Sequence, residues 1–125
     1  MQLAAARIFV WDVAEAKTFY MDKLGLVLTG MDAAKTVCIF DTGNTKLIVE
    51  SIPRDAPEDD RALVGRFTGL SFAVADVQAH CKQLEARGVK LAGPPEQQSW
   101  GGWLATFEDP AGNRLQFVQT PIASP

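Results

Sequence analysis

This sequence predicts an α+β fold built from two tandem βαβββ modules, and three observations predict it. First, the chain repeats itself: FVWDVAEAKTFYMDKLGLVL, from Phe9, follows the same plan as FAVADVQAHCKQLEARGVKL, from Phe72. Second, each stretch runs from an apolar strand through Asp-Val into an amphipathic helix and stops at a glycine followed by Leu or Val. Third, three strand-like segments follow each glycine, punctuated by turn residues.

Taken in order, the first strand alternates Ala6, Ile8 and Val10 with Ala5, Arg7, Phe9 and Trp11. One set is expected on the helix and the other on the opposite surface of the sheet. Asp12 is the expected N-cap, with Glu15 three residues on as a variant capping box. Gly25 fits the left-handed position that ends a helix. Strands are expected at 26–29, 36–41 and 46–51, with Gly43-Asn44 as a tight turn before the last. The prolines and acids of PRDAPEDDRALVG, residues 53–65, read as a solvated linker.

In the second half Leu70, Phe72 and Val74 are expected on the helix, leaving Gly69, Ser71 and Ala73 opposite. Asp76 caps a helix whose apolar stripe is Val77, Cys81 and Leu84; His80 flanks the stripe and is expected on the helix surface. Gly88 ends that helix, and strands follow at 89–91, 103–108 and 114–119. The turn DPAGN, from Asp109, joins the last two and pairs Glu108 with Arg114, which places Thr106 opposite Gln116. The organisation expected is one domain over 1–125, with modules at 3–52 and 66–120.

Composition excludes several classes. At 47% hydrophobic and 22% charged residues the chain has the balance of a globular domain. A net charge of -3 without a Lys/Arg cluster argues against a nucleic-acid partner. No apolar run reaches the ~20 residues that span a bilayer, and MQLAAARIFVWD lacks the features of a signal peptide. Cys38 and Cys81 form no CxxC and read as reduced core residues, so a cytoplasmic location is expected.

The duplicated βαβββ unit, the Asp12–helix–Phe19-Tyr20 run, Leu24-Gly25 and the DPAGN hairpin together resemble the vicinal oxygen chelate superfamily, over about residues 3 to 119. That superfamily includes glyoxalase I, extradiol dioxygenases and bleomycin-resistance proteins. The resemblance implies a curled, U-shaped mixed sheet around a cleft, with helices on its outer face. In the enzymes of the family, His and Glu side chains on the first and last strand of each module hold a divalent metal in that cleft. The matching positions here are Ala5, Ile48, Gly69 and Gln116. Three of these have no ligating side chain, and Gln116 offers one neutral amide oxygen. Such metals need several imidazole, thiolate or carboxylate donors, and the single histidine lies in a helix. The expectation is a cleft without metal or other cofactor, nearest in character to the bleomycin-resistance branch.

The cleft is then expected to be lined by Arg7, Phe9, Trp11, Ile48 and Glu50 from the first half and by Ser71, Trp100, Trp103, Thr106 and Gln116 from the second. Aromatic walls with a few polar groups suit a small aromatic or amphipathic molecule, bound or sequestered. Five of these residues also have a plainer role: Trp11 in packing or dimer contact, Trp100 and Trp103 over a sheet edge, Arg7 in an ion pair with Glu50, and Gln116 as a satisfied amide in a wet cleft. The rival reading is a lyase, isomerase or dioxygenase relative. In it Glu50 is the candidate general base, Arg7 or Lys46 stabilises developing negative charge, or Glu50 and Gln116 hold an atypical metal. The resemblance further implies a homodimer.

Overall fold

β1 (Ala5–Val10) forms because alternation buries one side of an apolar run: Ile8 and Val10 are within 2% of full burial while Arg7 is exposed. The chain then turns into α1 (Val13–Thr18), capped by the Asp12 carboxylate, which accepts from the amides of Ala14 (2.9 Å) and Glu15 (3.2 Å). The helix continues through a wider turn, Phe19–Lys23, in which the Leu24 amide reaches back to the Phe19 carbonyl. Gly25, at φ 77°, ends it. β2 (Val27–Met31), β3 (Val37–Asp41) and β4 (Lys46–Ser51) complete a sheet of order β1-β4-β3-β2. β1 and β4 run parallel and the other pairs antiparallel. β2 starts and ends later than the sequence suggests, and its pairing with β3 shifts between Leu28 and Gly30.

The computed structural model describes residues 1–121. Two compact units emerge: Met1–Arg66 with Pro110–Asn113, and Phe67–Asp109 with the chain from Arg114 onward. Residues 53–65, expected as linker, contain a helical turn, α2 (Glu58–Arg61), and Val64 bridges to Phe9 of β1. The first unit's core sets Ile8, Val10, Cys38, Phe40, Leu47 and Val49 of the sheet beside Val13, Ala16, Phe19 and Tyr20. Tyr20 lies 5.8 Å from Phe40, ring to ring, and both are fully buried. Burying each such ring contributes roughly 2–3 kcal/mol.

In the second unit β5 (Phe67–Ala73) leads to α3 (Val77–Ala86), β6 (Lys90–Leu91), a short β7 (Glu96–Gln97), β8 (Trp103–Glu108) and β9 (Arg114–Gln119). The sheet order is β5-β9-β8-β6, with β7 also paired to β8. The sequence reading has no counterpart of β7, whose polar Glu-Gln carries no alternation to detect. Val77, Cys81 and Leu84 pack against Ala105, Phe107, Leu115 and Phe117, all buried, with Phe107 and Phe117 stacked 4.3 Å apart. α3 is capped twice. Asp76 accepts from the Ala79 amide (3.1 Å), and the Gln119 side chain reaches from β9 to accept from the Val77 amide (2.8 Å). The two mixed sheets and few helices make this an α+β fold, as expected.

Candidate functional site

In the first unit the face of the sheet away from α1 carries the expected set. Strand register aligns Arg7, Ile48 and Ile39 on one rung and Phe9, Glu50 and Val37 on the next. Phe9, Ile48, Ile39 and Val37 are all half-buried, so this surface is apolar but open. Arg7 Nε lies 4.0 Å from Glu50 Oε1, with both side chains substantially exposed. That is a loose surface pair, worth about 0–1 kcal/mol. Lys46 is drawn to Asp41 instead (3.5 Å). Trp11 is half-buried, and the Arg54 guanidinium sits 4.9 Å from its ring centre, covering one face.

In the second unit Ser71, Gln116 and Thr106 form one rung across β5, β9 and β8. Gln116 Nε2 donates to Thr106 Oγ1 at 3.3 Å, the pairing that the hairpin register predicts. Beside them is a recess of about 270 Å³. Its walls are the 92–94 turn with Glu96 and Gln98 on one side, and Leu104, Ala105, Thr106 and Gln116 on the other. Sequence reasoning missed Glu96 and Gln98. They lie in PPEQQS, which has no periodicity; the pairing of β7 with β8 brings Glu96 to the sheet, and the bond from the Gln98 amide to the Gly102 carbonyl brings Gln98.

The two tryptophans assigned to the cleft do not line this recess. Trp103 has the register parity of Ala105 and Phe107, the side that packs on α3, so alternation turns it from Thr106 and Gln116. The Trp100 ring lies over Gly102: a Cβ on that glycine would stand 1.9 Å from the ring and 2.5 Å from the Gln119 carbonyl. Half of Trp100 remains exposed, at 50%. It covers the end of β8, the plainer role.

The structure places side chains of little ligating power at the four positions that match the family's metal ligands. Ala5, Ile48 and Gly69 present no donor atom, and Gln116 is engaged with Thr106. Gly69 is displaced as well. Phe67 pairs with Arg114 and Ser71 with Gln116, so three residues of β5 face one of β9, and Gly69 sits among them at φ 74°. Thr68 stabilises this bulge by donating from its hydroxyl to the Arg114 carbonyl (2.9 Å) and accepting from the Leu70 amide (3.2 Å). Among the described residues no three His, Cys, Asp or Glu side chains gather within reach of one ion.

Other titratable groups are structural. Burial pushes the Cys38 thiol up to about 11, and burial raises Cys81 too, so neither is poised as a nucleophile. His80 flanks the apolar stripe of α3 and is half-buried there: its ring packs 4.6 Å from Phe117, and burial lowers its pKa, helped by Arg87. Glu108 is held below the usual carboxylate range by Lys90 and Arg114, at 3.0 and 3.1 Å. No helix among the described residues is long and apolar enough to cross a membrane.

Comparison with known proteins agrees with this architecture. The model of the Glyoxalase/Bleomycin resistance protein/Dioxygenase superfamily matches residues 2–117. The uncharacterized protein YraH of Bacillus subtilis is 29% identical over 95% of this chain and 98% of its own length. Among solved structures, a superfamily member from Sphaerobacter thermophilus aligns with a TM-score of 0.80 and 28% identity, over 95% of this chain and 97% of that one. TnmS3, an antibiotic binding protein from a Streptomyces species, aligns with a TM-score of 0.76 and 27% identity, over 96% of each chain. The repeated βαβββ plan, its turns and these matches together establish that the chain belongs to the Glyoxalase/Bleomycin resistance protein/Dioxygenase superfamily.

Proposed function

We propose that this protein binds and sequesters a small aromatic or amphipathic organic molecule, without metal or other cofactor. One observation carries the reading. At the four positions where the superfamily's enzymes place metal ligands, this chain has two aliphatic side chains, a glycine in a bulge and one amide already hydrogen-bonded to a neighbouring threonine. The likeness to TnmS3, whose ligand is an antibiotic, supports a binding role. So does the recess beside Thr106 and Gln116, whose volume of about 270 Å³ falls just below the usual ~300–1,000 Å³ of ligand pockets. The protein acts, on this reading, as a homodimer in the cytoplasm, where two buried unpaired thiols stay reduced. Sedimentation of the purified protein tests the dimer.

A thermal-shift screen with a chemically diverse library, run beside elemental analysis, tests the function. A ligand at a hundred times its Kd adds about 2.7 kcal/mol, a rise of roughly 10 °C for a chain of this size. Absence of any such shift, or near-stoichiometric zinc, nickel, manganese or iron, would refute the proposal. The enzymatic alternative rests on Glu50, partly exposed beside Arg7. It requires Glu50→Gln to abolish turnover while leaving binding intact.

A further inference from the structure

We propose that the recess of the second unit is selective for charge, taking the protonated amine of a ligand and rejecting carboxylates. This rests on the reading of the protein as a small-molecule binder and specifies what its recess recognises. The walls carry one carboxylate (Glu96), two amides (Gln98, Gln116) and one hydroxyl (Thr106), with no lysine or arginine among them. Glu96 makes no ion pair among the described residues. The unit's nearby cations on these strands, Lys90 and Arg114, are both committed to Glu108.

The carboxylate also stands on the recess side of the sheet, exposed at its rim. Glu96 pairs with Leu104 across the β7–β8 ladder, and directly opposed residues project to the same side of a sheet. Leu104, Thr106 and Gln116 share that side, so Glu96 stands over the rung that Gln116 and Thr106 form. The strap that carries it is held in place. Gln98 Nε2 donates to the Glu96 carbonyl (3.1 Å), the Gln98 amide to the Gly102 carbonyl (2.7 Å), and the Gly101 amide to the Gln98 carbonyl (2.9 Å). An entering anion would face an uncompensated negative charge while losing water, whereas an ammonium would neutralise it and donate to the amide and hydroxyl oxygens. At about 30 Å³ per water the recess holds roughly nine waters, room for an aminomethyl arm and one ring.

The test uses the full chain and a fragment library of matched triples, in which each aromatic core carries an aminomethyl, a hydroxymethyl or a carboxylate group. Amide chemical shifts of residues 92, 93, 96–98, 104–106 and 116 report the recess. Aminomethyl members should bind at least five-fold more tightly than their hydroxymethyl partners, and carboxylates should leave these amides unmoved. Glu96→Gln should erase the amine advantage without weakening hydroxymethyl binding, and Glu96→Lys should reverse the preference. Equal binding by all three groups, or an amine preference that survives Glu96→Gln, overturns the inference while leaving the binding function intact. Fragments that bind only away from the recess overturn it equally. A library in which nothing binds anywhere on the protein overturns both readings.

Discussion

Asn113 should prove the most sensitive polar residue of the hairpin tip. It is 1% exposed, its Nδ2 donates to the Phe9 carbonyl at 2.7 Å, and its Oδ1 accepts from the Gly65 amide at 2.8 Å. Asn113→Ala removes both bonds, together with a longer one from the Arg66 amide (3.4 Å), and leaves a strand carbonyl and a turn amide without their partner. Both bonds are part-buried, so each orphaned group costs toward the lower end of about 1–3 kcal/mol, and the expected loss is about 3 kcal/mol. An unfolding entropy of roughly 2.1 cal/mol/K per residue gives roughly 0.26 kcal/mol/K for this chain, or about 4 °C per kcal/mol. The melting temperature should therefore fall by about 12 °C, read by circular dichroism at neutral pH. Gln78→Ala, at an exposed position of α3, is the control and should change stability by no more than ~0.5 kcal/mol. A melting temperature for Asn113→Ala within about 3 °C of the parent would show that these two bonds contribute no net stability.

Gly102→Ala should lower stability by about 1–3 kcal/mol, since its Cβ would collide with the Trp100 ring and with the Gln119 carbonyl. Adding Trp100→Ala should recover only part of that, because the carbonyl is backbone; thermal melts of the single and double variants decide it. Gly69→His should cost about 1–2 kcal/mol, since φ 74° disfavours a side chain, and calorimetry should detect no zinc binding that the parent lacks. His80 supplies a pH dependence. Its folded-state pKa lies below the ordinary 6.5, so the unfolded chain protonates first as pH falls. The stability contributed by neutral His80 is complete above pH ~6.5 and is lost below it, toward the folded-state value. Denaturant melts at about pH 7.5 and 5.5 should differ less in His80→Gln than in the parent; equal differences would remove His80 from the account.

Local signals carried most of the fold. Asp12 and Asp76 cap helices, and Gly25 and Gly88 take positive φ, because each depends only on a few neighbouring residues. The Thr106–Gln116 pairing follows from a short hairpin, whose register a turn can fix. What stayed hidden depends on distant partners. TGLSF alternates as a straight strand would, yet β5 bulges because Thr68 bonds to Arg114, 46 residues away. Asn113 reads as a turn residue, but its amide serves Phe9, 104 positions earlier. Trp103 looked like a cleft residue by composition; only strand parity with Ala105 and Phe107 shows which way it turns. Glu96 and Gln98 had no pattern to betray them, because a two-residue strand is too short for a period.

The hairpin tip also sets an order of events during synthesis. Pro110–Asn113 completes the first unit, although the rest of that unit ends at Arg66. At ~5–20 residues per second, the 48 positions from Gly65 to Asn113 take roughly 2–10 s to translate. Throughout that interval the nascent first unit lacks the side chain that ties the Phe9 carbonyl to the Gly65 amide, and one edge of β1 waits with only Val64 beside it. The earlier-made unit is finished by residues made later, so a ribosome stalled between Arg66 and Asn113 would hold a first unit without the bonds that join the Phe9 carbonyl and the Gly65 amide to Asn113.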